Sequence, residues 1–246
     1  MKKLLLFFSF LFFSNLLQAQ DVTLAGIFPV WSQTGRINNK LNYNFFIATT
    51  IDPFNVKKGG VEYPAGDLNL YIQSSIIYVV NANWNIAGSY TYQGVNPFGE
   101  NFFNEHRIWE QVIFSNALGK GRMTHRVRLE ERFIENRATG TYPLSTRTRY
   151  QLGFNMPLQG RTLEEKEFYL NAYNEFYFNM TGAKNTTYSD NWAYLGCGYN
   201  LGKMGKLELG YLLQTSVRDK QKDLKFFNIM QIMWATNFDF FKKEAD

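Results

Sequence analysis

The residues of this 246-residue sequence that could carry chemistry are arginines and glutamates spaced two positions apart. In the run 126–132, and again at 147–149, charged side chains recur at alternate positions. In an extended chain such positions point to one side. There, arginines can form charge-assisted hydrogen bonds to carboxylates or to a bound anion. The spacing therefore predicts an interior charge network, whose members are Glu105, Arg107, Arg126, Arg128, Glu130, Arg132, Arg147, Arg149, Glu167, Glu175 and Glu208.

Two functions fit a charge network of this kind. Both assume that the extended segments close into a narrow barrel, whose interior we call the lumen. In the first, paired charges fill the lumen, and the protein has a structural or interaction role. In the second, the lumen is a narrow channel or a binding site for small anionic solutes. An eight-stranded barrel is just filled by its side chains, and about ten strands enclose little more space. The largely plugged lumen is therefore the favoured interpretation, with the channel or binding site as the alternative.

Enzymatic chemistry has weaker support in the sequence. The two histidines, His106 and His125, have no metal-ligand spacing, and Ser115, Ser145 and Ser189 lie in no nucleophile elbow. A hydrolase needs a nucleophile and a base within hydrogen-bond reach, whereas parity puts both imidazoles on the apolar side of their strands. We expect no enzymatic activity, no metal and no cofactor. A membrane-embedded lipid hydrolase is the enzymatic alternative.

The elements that position the charged residues are extended strands. Between 205 and 217, Leu207, Leu209 and Tyr211 fall on one face, whereas Lys206 and Glu208 fall on the other. This period of two predicts strands with one apolar and one polar side. The same alternation recurs in the segments 67–80, 123–133, 146–158 and 167–180.

The number of strands follows from the alternation and from a rule of barrel topology. Looser segments, including 23–34 and 41–51, bring the total to roughly eleven. Bacterial single-chain barrels have an even number of antiparallel strands. We therefore predict an all-β, antiparallel, up-and-down transmembrane β-barrel of about ten strands, or twelve if the segment 52–66 contains another.

The chemistry of the two faces favours a membrane over a soluble barrel. Aromatic residues form 17% of the chain, and no helices are predicted to cover the apolar faces. Uncovered apolar surface of this extent is expected to contact lipid. Two carboxylates, Glu110 and Glu131, fall on the apolar side by parity, so we expect them near the bilayer edges or at a shift in register. The alternative is a soluble, lipocalin-like lipid carrier with the apolar faces turned inward.

The ends of the chain predict export and a location in the outer membrane of a Gram-negative bacterium. Residues 1–19 have the basic start, apolar run and small-residue end of a cleaved signal peptide, and 20–246 form a single barrel domain. The aromatic residues Trp234, Phe238 and Phe240 are typical of the last strand of such barrels. The expected partners are outer-membrane lipid and, during biogenesis, the barrel-assembly machinery. The net charge of +5 forms no basic stripe, so no nucleic acid is expected.

Several short motifs also resemble a known family. They are the runs 104–111, 128–133, 147–150, 173–179 and 210–214, which read NEHRIWEQ, RLEERF, RTRY, YNEFYFN and GYLLQ. In this order they resemble the domain-of-unknown-function family 2490, predicted outer-membrane barrels of Bacteroidetes-type bacteria. The resemblance covers 100–240 best and implies a barrel fold and its location. It implies no activity and no catalytic residues.

Overall fold

The computed structural model describes residues 22–58, 61–63, 65–66, 69–182, 187–217 and 224–240, so the predicted signal peptide lies outside the described residues. Among these residues strands dominate, and the described part of the chain has one short 3-10 helix, at Gly202–Met204. Among the described residues, no helix has the length and apolar character needed to cross a membrane. The strands are β1 (Val22–Arg36), β2 (Leu41–Thr50), β3 (Val56–Lys58), β4 (Val61–Tyr63), β5 (Asn69–Val79), β6 (Trp84–Val95), β7 (Phe103–Leu118), β8 (Gly121–Ile134), β9 (Leu144–Pro157), β10 (Phe168–Thr181), β11 (Tyr188–Asn200), β12 (Lys206–Val217) and β13 (Leu224–Asn237).

Eleven of these strands close into a barrel, while β3 and β4 form a separate hairpin in the connection from β2 to β5. The predicted all-β barrel is confirmed. Its strand number and its closure differ from the predicted ten or twelve antiparallel strands. Successive wall strands pair antiparallel, but β1 closes the barrel by pairing in parallel with β13, from Val22 opposite Lys225 to Thr34 opposite Asn237.

The parallel closure explains the odd number of strands. An even number is required only when both ends of the chain lie at the same rim. Here the described part of the chain begins and ends at opposite rims, since β1 begins at the rim with most of the longer connections and β13 ends beside Arg36 at the other. Asp239 accepts hydrogen bonds from the backbone N–H of Arg36 at 2.8 Å and from its Nε at 2.7 Å. These bonds lower the pKa of Asp239. They also hold Asp239 beside Arg36 at the end of β1.

The parallel seam can be tested by cross-linking. In a Cys197→Ser background, the pair Ile27→Cys and Met230→Cys is expected to form a disulfide, because these residues are partners in the β1–β13 register. Neighbouring strands lie about 4.8 Å apart, within the reach of a disulfide. The pair Ile27→Cys and Trp234→Cys is the control, since its positions are offset by roughly 13 Å along the seam. Efficient cross-linking of β13 to Ile47→Cys on β2 would instead indicate a ten-stranded barrel without β1.

The two faces of the wall follow the predicted alternation. The polar positions of β5, β8, β9, β10 and β12 point into the lumen, while the apolar ones point outward. Large apolar side chains are exposed around the barrel, among them Ile76, Val112, Val127, Leu129, Leu152, Leu195, Leu209, Tyr211, Met230 and Trp234. The lone Cys197 is exposed on this outer face.

The two outward carboxylates differ in their position along the wall, since Glu131 lies close to the end of β8 at Ile134, whereas Glu110 is not near a strand end. The pairing of β7 with β8 runs without a register shift from Glu105 to Leu118, so no bulge redirects Glu110 or Glu131. Glu110 lies in the middle of β7, between Gly88 on β6 and Leu129 on β8. Because Gly88 has no side chain, the Glu110 carboxylate lies in a shallow apolar groove of the outer surface.

Candidate functional site

Nine of the predicted charged residues come together in the lumen on four adjacent strands, and we call them the Arg–Glu cluster. Each of these strands presents every second side chain to the interior, so neighbouring strands bring arginines beside glutamates. The cluster consists of Glu105 and Arg107 on β7, Arg126, Arg128, Glu130 and Arg132 on β8, Arg147 and Arg149 on β9, and Glu175 on β10.

Glu130 lies at the centre of the Arg–Glu cluster and is fully buried. It accepts hydrogen bonds from Nε of Arg147 at 2.7 Å and from Nη1 of Arg149 at 2.8 Å. Arg149 also donates through Nε and Nη2 to the two carboxylate oxygens of Glu175, at 2.8 and 2.7 Å. This two-point geometry is among the strongest arginine–carboxylate interactions. The Tyr177 ring supports it, with its centroid 4.3 Å from the Arg149 guanidinium carbon.

A second group within the cluster forms around Glu105. Arg132 donates from Nε to Oε1 at 2.6 Å and from Nη2 to Oε2 at 2.9 Å. Arg107 donates to the same carboxylate and to the side-chain oxygen of Gln93. Gln93 in turn donates to the hydroxyl of Tyr71 at 3.0 Å. Both groups are therefore held by hydrogen bonds to neighbouring strands.

Two arginines of β8 are less completely paired than the others. Arg126 has one bond to Glu175, at 2.7 Å from Nη2, and its buried Nε has no hydrogen-bond partner among the described residues. Arg128 donates twice to the side-chain oxygen of Gln111, at 3.0 and 2.8 Å, and stacks 3.7 Å above the ring of Trp109. A carboxylate oxygen of Glu130 lies 3.8 Å from Arg128 Nη1, beyond hydrogen-bond distance. The positive charges of Arg126 and Arg128 are thus only partly neutralised.

The cluster carries more positive than negative charge and faces open space. Its six arginines and three glutamates leave a formal excess of three positive charges. Beside it lies a lumen cavity of ≈ 880 Å³ whose lining includes Arg126, Arg128 and Arg149. An excess of arginine facing a cavity suits the binding of an anion, because guanidinium groups offer several donors in a fixed plane.

Two predicted members lie outside the cluster. Glu167 is in the connection between β9 and β10, where its carboxylate accepts a hydrogen bond from the backbone N–H of Glu164 at 3.0 Å. The predicted segment 167–180 begins one residue before β10, which starts at Phe168. Glu208 does face the lumen and is buried, but on β12, away from the arginines. It accepts bonds from Tyr194 at 2.6 Å and from Asn171 at 3.1 and 3.2 Å.

Glycines make the Glu208 site possible. The Tyr194 ring lies over Gly196 and Gly210, where an added Cβ would come within 2.2 and 2.3 Å of the tyrosine hydroxyl oxygen. Tyr169 likewise covers Gly198, at 2.1 Å from the position of such a Cβ. These glycines leave room for aromatic rings to lie flat on the inner wall.

Part of the wall that faces the Arg–Glu cluster is apolar, and this part was not identified from the sequence; Thr34, Asn44 and Gln231 line the cavity on the same strands. We call the apolar part the apolar wall: Phe28 and Val30 on β1, Phe46 on β2 and Met233 on β13, all lining the same cavity. Phe28 and Val30 belong to a core cluster that also contains Leu212 and Ile229, which are completely buried. The segment 22–30 is apolar on both faces, and this departure from alternation is the signal that could have revealed the wall.

Among the described residues, neither histidine is hydrogen-bonded to Ser115, Ser145 or Ser189. His106 contacts Tyr90, whose hydroxyl lies 2.6 Å from Nδ1, and its ring packs against Tyr92 and Tyr142. His125 contacts the hydroxyl of Tyr150 at 2.9 Å. Both histidines are on the outward side of their strands, as parity predicted. Ser115 faces the lumen and contacts Thr124 at 3.1 Å.

Comparison with known proteins identifies a family but no characterised relative. The family model described as protein of unknown function, DUF2490, matches residues 36–225, which include the whole Arg–Glu cluster. No curated protein and no solved structure matches the chain.

Proposed function

Since the chain belongs to the DUF2490 family of proteins of unknown function, we propose its function from its geometry: it is an outer-membrane barrel whose lumen binds a small anion. The observation that carries the proposal is the pair Arg126 and Arg128, two incompletely neutralised arginines that line an open cavity. The membrane location and the anion site are supported by different features.

The outer face supports the membrane location. Its exposed residues include large apolar side chains on β5 to β13, for example Ile76, Leu129, Leu209 and Met230. An apolar surface encircling a barrel would be poorly solvated in water and is typical of strands in contact with lipid. Closure by β1 and β13 leaves every wall strand paired on both edges, as a bilayer interior requires.

Heat-modifiability tests the membrane part of the proposal. We expect the mature chain, refolded in detergent, to migrate at a different position on a gel before and after boiling. We also expect it to remain with the outer-membrane fraction after a carbonate wash. Absence of a shift together with release by carbonate would contradict the proposal and favour a soluble carrier.

The balance of charges supports an anion site over a lumen filled by paired charges alone. Glu105, Glu130 and Glu175 are already bonded to Arg107, Arg132, Arg147 and Arg149. Glu175 also accepts one bond from Arg126 but is shared with Arg149, and among the described residues no carboxylate lies within hydrogen-bond distance of Arg128. Burial of incompletely paired charge costs free energy, and an anion held between the two guanidinium groups would recover part of that cost. The paired residues then serve as a rigid support for the two that bind.

Binding of inorganic phosphate tests the anion site. For the refolded wild type in a nonionic detergent we expect saturable binding by calorimetry, weakened by added salt. Arg126→Gln and Arg128→Gln are each expected to lower the affinity about ten- to hundredfold, because a hydrogen bond to a charged group contributes about 1.5–3 kcal/mol. Arg161→Gln, at an exposed position between β9 and β10, is the control. Equal affinities for all four proteins would disprove the site.

A further inference from the structure

The Arg–Glu cluster and the apolar wall occupy opposite sides of the lumen. Around the barrel, β1 is separated from β8 by four strands in one direction and five in the other, so the two strands are diametrically opposed. Arg126 and Arg128 project from β8, while Phe28 and Val30 project from β1, and all four line the same cavity. A molecule in the cavity therefore meets positive charge on one side and hydrocarbon on the other.

Aromatic residues lie between the Arg–Glu cluster and the apolar wall on both sides of the lumen. On one side, Tyr71 packs edge-on against Phe28, with ring centroids 6.3 Å apart, and its hydroxyl is bonded to Gln93 of the charged side. On the other, Trp192 packs against Tyr177, with centroids 5.3 Å apart, and Tyr177 supports Arg149. Aromatic residues with a polar tip suit such a boundary, because one end is apolar and the other forms hydrogen bonds.

A site for a small hydrated ion alone does not account for the apolar wall. A lumen that conducts or binds hydrated ions is expected to be polar all round, as in porins. Here Val30 and Phe28 are both buried and face the cavity, and the first part of β1 departs from the alternation of polar and apolar residues. A cavity of ≈ 880 Å³ is also of the size that holds an organic ligand.

We infer that the ligand of the lumen is an amphiphilic anion, in which a single carboxylate, phosphate or sulfate group binds Arg126 and Arg128 and an alkyl or aryl group lies on the apolar wall. This inference rests on the proposed anion site and specifies its ligand class. The anionic group supplies the acceptor that Arg126 Nε lacks and the carboxylate-like partner that Arg128 does not reach. The apolar group displaces water from Phe28, Val30, Phe46 and Met233.

A homologous series of short carboxylates tests the inference. Acetate, butanoate and hexanoate are titrated calorimetrically into the refolded full-length mature protein. Burial of each methylene is expected to raise the affinity roughly fourfold, so hexanoate, with four more methylenes than acetate, should bind on the order of two hundredfold more tightly if all four are buried. Hexan-1-ol, which has the same apolar length without the charge, is expected to bind at least tenfold more weakly than hexanoate.

Two variants test separately the binding of the anionic group and the binding of the apolar group. Arg128→Gln is expected to weaken all three carboxylates by a similar factor. The double variant Val30→Thr and Met233→Gln keeps side-chain size nearly constant, and it is expected to abolish most of the dependence on chain length while acetate binding is retained. Circular dichroism and heat-modifiability establish that each variant is folded.

Three results would overturn the inference. Equal affinities across the series in the wild type would leave an anion site without an apolar component. A chain-length dependence that survives in the Val30→Thr and Met233→Gln variant would indicate partition into detergent. Absence of binding by phosphate and by every carboxylate would remove the proposed anion site together with the inference.

Discussion

Replacing Glu130 with glutamine is expected to lower the free energy of unfolding of the barrel by about 3–5 kcal/mol, the typical cost of removing one partner from a buried ion pair. Glu130 is completely buried and bonded to both Arg147 and Arg149. The glutamine keeps the size of the side chain but leaves two guanidinium groups without this charge. Without the Glu130 charge, the guanidinium groups of Arg147 and Arg149 are also repelled by the nearby Arg128, which lowers the stability further. The measurement is urea unfolding in detergent micelles or vesicles, followed by the gel shift.

The neighbouring residue supplies a matched control. Glu131 precedes Arg132 on the same strand but points to the outer face, so Glu131→Gln removes the same charge without breaking a lumen pair. We expect it to change the stability by less than about 1 kcal/mol. Combining Glu130→Gln with Arg147→Gln should recover part of the loss, because the double variant removes one of the uncompensated charges. Equal effects of Glu130→Gln and Glu131→Gln would contradict the central role of Glu130.

The second large effect is expected from Gly210→Ala on β12. The added methyl group would lie 2.3 Å from the Tyr194 hydroxyl oxygen and 2.5 Å from Cζ, which is too close for any contact. Tyr194 has little freedom to move, since it is bonded to Glu208 and lies over Gly196 as well. Overpacking costs about 1–3 kcal/mol. A further cost of about 1–3 kcal/mol arises if the buried Glu208 loses the hydroxyl.

Gly88→Ala is the control for this substitution. Gly88 lies on β6, on the opposite side of the barrel from β12, and a Cβ added there meets no atom within 4 Å. We expect Gly88→Ala to be neutral or slightly stabilising, because alanine reduces the freedom of the unfolded chain. Unfolding in urea compares the two variants. If Gly210→Ala were as stable as Gly88→Ala, Tyr194 would not be confined by the two glycines.

The amino-acid sequence alone was sufficient to predict most of the wall strands and the faces of those that alternate. Period-two alternation in β8, β9, β10 and β12 separates lumen from outer residues, because successive side chains of a strand must point in opposite directions. Nine of the residues that this local rule selected lie together in the Arg–Glu cluster. It also placed His106 and His125 outside the lumen. Glu167 was misassigned because alternation does not specify the residue at which a strand begins.

The tertiary structure alone decided how the barrel closes and which charges remain unpaired. The parallel contact between β1 and β13 joins the two ends of the described chain, and no pattern within either strand encodes its partner across 200 residues. Pairing in the Arg–Glu cluster likewise depends on the register of four strands and on the reach of each side chain. Glu208 therefore bonds to Tyr194 instead of an arginine, and Arg126 and Arg128 are left to face the apolar wall. Alternation is local to one strand, whereas closure, pairing and the shape of the cavity depend on contacts between distant segments.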